Sequence, residues 1–235
     1  MICALHQPNY IPWIGYWNKM AMCDLFIIED SLQYIKRSYI NRVKIFFPTK
    51  DVKWLTIPVT FNTGENINEV KISNDFNPKN HFKTIQATYG SLANFKEIAD
   101  DLKAIYDRKY EKLIDLNMEL ILFIKKKLNI DTKISYLSEL EIIGQKSEFL
   151  SEICKQVGSD TYLSGQGAKK YIDEDIFKEK QINLIYQEII HPVYQQKSEN
   201  FVEGLSILDF IFSCQEYKNI FWEHVKKSQK ITFNN

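Results

Sequence analysis

Leu5–Arg42, LHQPNYIPWIGYWNKMAMCDLFIIEDSLQYIKRSYINR, carries the densest signal in the chain. It continues a short apolar run, Ile2 to Leu5, of the kind that forms a central parallel strand. His6, Gln7, Asn9 and Tyr10 then crowd polar groups around Pro8 and Pro12, whose rings remove amide donors, so neither a sheet interior nor a helix can continue there. From about Ile14 to Cys23, Ile14, Trp17 and Ala21 fall at helical spacing with Met20 beside them. A second apolar run, Leu25 to Ile28, ends in Glu29-Asp30. Strand, polar loop, helix and a strand ending in a carboxylate is the opening of a nucleotide-type α/β fold, whose ligands bind outside the carboxyl ends of the strands.

Further along, Asp30 to Arg42 holds Gln33, Tyr34, Lys36, Arg37, Ser38, Asn41 and Arg42, which predicts an exposed site loop, because buried polar groups at that density need a ligand or an opposing charge. Lys44 to Phe47 and Val52 to Val59 read as paired strands, with Val70 to Ile72 continuing their sheet. From Asn77-Pro78 the pattern turns helical for two or three helices. Ile134 to Leu137, Thr161 to Leu163 and Ile182 to Tyr186 read as strands, Ser147 to Val157 as a helix stopped by Gly158, and the region around Tyr171, Ser206 to Phe212 and Ile220 to Val225 as helices. No repeat or Gly/Ser linker divides the chain, so the expectation is a single α/β domain over 1–235 with a helical insertion over 78–130.

Thirty basic and 30 acidic residues cancel, which removes the global positive field of a nonspecific nucleic-acid binder. Four scattered cysteines lack metal-type spacing, so no metal site is expected, and Cys3 is read as buried core. No apolar run reaches membrane-spanning length and His6, Gln7 and Asn9 interrupt any leader-like segment, so a cytoplasmic protein with reduced thiols is expected.

His6, just past a strand, can move a proton near neutral pH or can hold the loop by bonding a backbone carbonyl. Asp30 can orient His6, act as base or accept from substrate, and can equally form an ion pair with Arg37 or Arg42. Lys36, Arg37 and Arg42 offer donors suited to phosphate, against the ordinary reading of a solvated face. In Ser164-Gly165-Gln166-Gly167 two glycines allow a ligand close to the backbone, as they also would in a plain tight turn. His191, Tyr194 and Gln196 form a further polar loop near the expected strand ends, where His191 is either a second proton-transfer group or structural. His81 and His224 sit in helical segments without evident partners and read as surface or packing residues.

His6-Gln7-Pro8-Asn9-Tyr10-x-Pro12-Trp13-x-Gly15-Tyr16, Asp30-x-x-Gln33-Tyr34-x-Lys36-Arg37-Ser38 and Asn41-Arg42 resemble the signature of the WbqC-like proteins. Tyr162-x-Ser164-Gly165-x-Gly167-Ala168-x-x-Tyr171, Tyr194-x-Gln196 and Leu205-Ser206-Ile207-x-Asp209 are similar to that family's later pattern. Val43 departs from it, where a polar residue is usual, as does Cys214, near a usual Asn or Gly. The resemblance implies a role in bacterial surface-polysaccharide clusters that handle nucleotide-linked amino sugars, and hence transfer onto a sugar. A looser similarity to nucleotidylyltransferases of the HxGH class implies a Rossmann-like core, but Trp13 and Tyr16 stand where the two catalytic histidines would be, which argues against nucleotidyl transfer.

The expectation is an acyl or aminoacyl transfer to the amine of a nucleotide-linked sugar, with His6 and Asp30 handling the proton. Lys36, Arg37 and Arg42 would hold the diphosphate, and Gln7, Asn9, Tyr10, Gln33, Tyr34, Asn41, Ser164, Gly165, His191, Tyr194 and Gln196 would line the substrate. No cofactor is required by the sequence; a CoA or carrier-protein thioester would serve as donor, with an acyl carrier protein as partner. The rival readings are a nucleotidylyltransferase and a noncatalytic nucleotide-sugar-binding protein.

Overall fold

A computed structural model describes residues 1–142 and 145–234. The chain opens with β1 (Ile2–His6), α1 (Ile14–Ala21) and β2 (Leu25–Ile28), as the apolar spacing predicts. β3 (Arg42–Phe46) then pairs antiparallel with β4 (Val52–Thr56). Pro58 has no amide to continue that ladder, so the strand expected through Val59 breaks. The residues beyond form β5 (Val59–Thr60), which pairs with β6 (Lys71–Ile72) as a separate ribbon instead of extending the first hairpin.

Three helices follow: α2 (Pro78–Tyr89), α3 (Phe95–Asp107) and α4 (Leu113–Lys127). Asn77 caps α2 by accepting from the Lys79 amide at 3.1 Å, with Pro78 at the first helical position, where its missing N–H costs nothing. The chain returns to the sheet with β7 (Lys133–Tyr136), α5 (Lys146–Gln156), β8 (Thr161–Ser164), α6 (Glu174–Glu179) and β9 (Asn183–Tyr186), and closes with α7 (Ile207–Ser213) and α8 (Tyr217–Asn234). The helix expected around Tyr171 is a short 3-10 turn, Gln166–Lys170, that leaves Tyr171 exposed.

β7, β2, β1, β8 and β9 form one parallel sheet in that order, so the chain adds strands on one side of β1 and then reverses to the other. Alternate residues feed two apolar layers. Ala4, Phe26, Ile28 and Leu163 pack in the layer shared with α1, α8 and the three middle helices. Cys3, Leu5, Ile27 and Tyr162 pack with Ile153, Cys154 and Phe177 of α5 and α6. Burial on both faces explains why the strands read as unbroken apolar runs. Among the described residues, no helix is long and apolar enough to cross a membrane, and the four cysteines are free and buried.

Asn117 lies inside α4 with no exposed surface. Its Nδ2 donates to the Pro8 carbonyl at 2.8 Å and to the Ile40 carbonyl at 2.7 Å, tying both polar loops to one helix. Tyr10 N donates to the Tyr39 carbonyl at 3.0 Å and closes the junction between the loops. Asn117→Leu keeps the volume but leaves two buried carbonyls unpaired, so it should destabilise the protein by about 2–4 kcal/mol. A urea midpoint within error of wild type would show that the loops hold without this amide.

Candidate functional site

β1 and β8 pair only at Ile2↔Thr161 and Cys3↔Tyr162, and then part. The Ile2 and His6 carbonyls accept from the Asp24 and Glu29 amides on the β2 side. Two-residue alternation therefore aims the Leu5 carbonyl at β8, where the ladder has ended. Lys19 fills that gap: its Nζ reaches from α1 and donates to the Leu5 carbonyl at 2.8 Å, with only 5% of the residue exposed.

A pocket of about 260 Å³ opens above this crevice. His6, Trp13, Gly15, Tyr16 and Lys19 line it from β1 and α1. Gly165, Gln166 and Gly167 face them after β8, and Gln187 and Ile189 after β9. Parallel sheets bind ligands where the strand order reverses, because neighbouring loops there diverge to opposite faces. A larger concavity of about 770 Å³ runs between Lys71–Pro78 and Lys109–Glu111 and contains none of the candidate residues. The smaller pocket, which holds His6 and Gly165, is the candidate site.

Each wall has a local cause. The His6 ring stacks on Phe26 at 6.4 Å and meets Tyr16 edge-on at 4.7 Å, so the sheet fixes its plane. His6 Nδ1 lies 3.2 Å from the Gln7 carbonyl, which can only accept, so Nδ1 carries the proton and Nε2 keeps a lone pair. A Cβ on Gly15 would lie 2.3 Å from the Trp13 ring, so the glycine is what lets that indole lie over the start of α1. Trp13 in turn stacks near His191 at 6.4 Å. Gln187 locks the far wall by donating to the Gly15 carbonyl at 3.0 Å and to Asn18 Oδ1 at 2.8 Å.

Gly165 and Gly167 have no positive φ, and a Cβ on either would meet nothing within 4 Å. Neither turn geometry nor packing requires glycine, so what the two residues preserve is open space at the pocket wall. Ile11, by contrast, is held at φ +42 in the loop below His6, costly for a β-branched residue, and the Ser206 hydroxyl bonds its carbonyl at 3.0 Å.

Burial dominates the electrostatics. It pushes the His6 imidazole down to about 3, with the Lys19 charge adding to the effect. Burial also lowers Lys19, opposed by Glu29, and raises Glu29, opposed by Lys19. The Tyr16 hydroxyl, 1% exposed, has no protein partner, and burial raises it far above the ordinary phenol range.

A family model described as the WbqC-like protein family matches residues 7–219. The chain belongs to that family. A Mycobacterium tuberculosis (strain ATCC 25618 / H37Rv) protein, "Uncharacterized protein Rv1507c", is 34% identical over 214 residues, which span 89% of this chain and 92% of that one. No solved structure matches.

The remaining WbqC-like signature residues divide between the pocket and the scaffold. Asp30 turns away from His6: its Oδ1 accepts from the Ser138 amide at 2.9 Å and its Oδ2 from the Ser138 hydroxyl at 2.5 Å, which ties the exit of β2 to that of β7. Among the described residues it bonds neither His6 nor Arg37 nor Arg42, so it pins a strand end where a proton-transfer partner was expected. Tyr10 is fully buried, with its hydroxyl 2.8 Å from His81 Nδ1 and 2.6 Å from the Tyr106 hydroxyl. It is a core residue where a ligand contact was expected, and His81 has a partner after all. Ser164 is buried too, and only Gly165 beside it reaches the pocket.

Tyr194 and Gln196 donate to Asp209 Oδ2 at 2.9 and 3.0 Å and so brace the His191 loop, and both line a separate concavity of about 420 Å³ with Val193 and Phe201. Gln33, Lys36 and Arg37 are exposed, with Arg37 at φ +61. Arg42 lies over the Trp54 ring at 4.1 Å. The loop expected to be exposed is thus mixed, since Asp30, Tyr34, Ile40 and Asn41 are buried while Gln33, Ile35 and Tyr39 are exposed with the basic pair. Gln7 is half-buried, while Asn9 and Asn41 are buried with Oδ1 atoms that have no protein partner. The sequence reading passed over Lys19, Tyr16, Glu29 and Gln187 as site residues. The available signal is the pair Asn18-Lys19 inside a helix, Ile14–Ala21, that is otherwise glycine, apolar or aromatic.

Burial also pushes His81 down to about 4. An unfolded histidine protonates near its ordinary 6.5, so stability present above that pH is lost as pH falls toward about 4. His81→Gln should remove about 2 kcal/mol in total from the stability lost between pH 7 and pH 5, read from urea unfolding at the two pH values. An unchanged loss would mean that the imidazole is solvated.

Proposed function

We propose that this WbqC-like protein is a transferase acting on a nucleotide-linked amino sugar, which it acylates or aminoacylates on the amine. The observation that carries this reading is the pocket at the reversal of a parallel sheet, with a neutral imidazole on one wall and glycine backbone on the other. Numbered within the sheet the strand order is 3-2-1-4-5, which supports a Rossmann-like core with a nucleotide ligand at its crevice.

In the reaction the amine nitrogen attacks the thioester carbonyl; a C–N bond forms and the C–S bond breaks. His6 Nε2 takes the proton from nitrogen and returns it to the departing thiolate. Burial keeps Nε2 unprotonated and free to accept at neutral pH, while making it a weak base until a bound ligand's charge raises it. Trp13 and Tyr16 supply no imidazole for nucleotidyl transfer, which leaves that rival weaker.

Purified protein should form an amide, detected by mass spectrometry, when given nucleotide-linked amino sugars and acyl thioesters. His6→Ala should abolish turnover while nucleotide-sugar affinity changes by no more than about twofold; equal losses of both would remove His6 from the chemistry. Gly165→Val fills space without clashing, so stability should stay within roughly 0.5 kcal/mol while affinity falls about tenfold. If affinity holds, the ligand does not use this wall.

A further inference from the structure

We infer that Lys19 is the anion-binding residue of this site: its ammonium, seated where β1 and β8 part, takes a phosphate of the bound ligand. The inference rests on reading the pocket as the ligand site and moves the phosphate away from Lys36, Arg37 and Arg42. None of those three lines the pocket.

Four observations converge. An ammonium has three donors, and among the described residues the only acceptor of Lys19 Nζ is the Leu5 carbonyl. No carboxylate lies within ion-pair distance of it in that set, and Glu29 acts on it only from farther off. A lysine that is 5% exposed and unpaired is costly to keep charged, so burial lowers it and an anion arriving from outside would hold it as the ammonium. Three residues earlier on the same helix face, the Tyr16 hydroxyl is buried, unpartnered and in the same pocket.

Lys19, with two spare ammonium donors, and Tyr16, with an unpartnered phenol, both line one small pocket, which suits a phosphate with its several acceptor oxygens. At about 260 Å³ the pocket falls below the roughly 300–1,000 Å³ that encloses a drug-sized ligand. The diphosphate is the middle of a nucleotide sugar, so it seats at Lys19, with the sugar on one side of it and the nucleoside extending out of the pocket on the other.

Calorimetry with UDP, inorganic pyrophosphate, uridine and glycine tests this on the full chain. Wild type should bind UDP and pyrophosphate in a salt-sensitive way and should not bind glycine. Lys19→Met, close in shape and uncharged, should weaken both phosphate ligands by about tenfold or more; it also leaves the Leu5 carbonyl unpaired, so its urea midpoint should fall, and binding is compared without urea, where circular dichroism shows the variant folded. Tyr16→Phe removes only an unbonded hydroxyl, so it keeps a folded variant in the test; its pyrophosphate affinity should drop about threefold or more. Wild-type affinity in either folded variant overturns the assignment, as does wild type binding glycine but no phosphate. If pyrophosphate binds through Lys19 but nucleotide sugars do not, the anion site stands and the transferase reading falls. If nucleotide sugars bind equally well without Lys19, the reverse holds.

Discussion

The bond from Lys19 to the Leu5 carbonyl sits where the architecture changes direction. A parallel sheet that grows first on one side of β1 and then on the other must leave a crevice, because the connections on its two sides run over opposite faces. At that crevice the carbonyl of Leu5 loses its ladder partner. Left unpaired in the interior, it would cost about 1–3 kcal/mol. A lysine satisfies it and brings a charge into the same place. One side chain thus closes a backbone deficit and polarises the crevice where the loops after β1 and β8 diverge. His6 feels that charge, which adds to the burial that keeps its imidazole neutral.

A second constraint governs the loops. Asn117 bonds the residues just before Asn9 and Asn41, so one amide on the middle helices sets the separation of two segments far apart in sequence. The strained Ile11, the buried Tyr10–His81 contact and the Ser206 hydroxyl hold the first loop from three further directions. A loop restrained so heavily presents His6 in one orientation, as proton transfer requires. The unpaired Oδ1 atoms of Asn9, Asn41 and Asn117 remain after the internal bonds are counted.

Much of the WbqC-like pattern serves this scaffold. Tyr194 and Gln196, both half-buried, form one network on the buried Asp209, and the buried Asp30 forms another with the exposed Ser138. Polar residues in a family signature are therefore a mixed set, some of them facing the pocket and others bracing the walls that shape it. Exposure and hydrogen-bond partners separate the two groups where residue type does not.

Apolar period and length were enough to read β1, α1, β2, the β3–β4 pair and the later strands from the chain alone, because a strand buried on both faces and a helix buried on one have different repeats. The same reading placed a site just past β1, since Pro8 and Pro12 end regular structure where polar residues accumulate. It could not see that Asp30 faces Ser138, that Tyr10 meets His81 or that Lys19 enters the crevice. Each of those facts depends on which strands lie side by side and how the middle helices dock. Adjacency of that kind is settled by packing between distant segments, and local residue spacing carries no record of it.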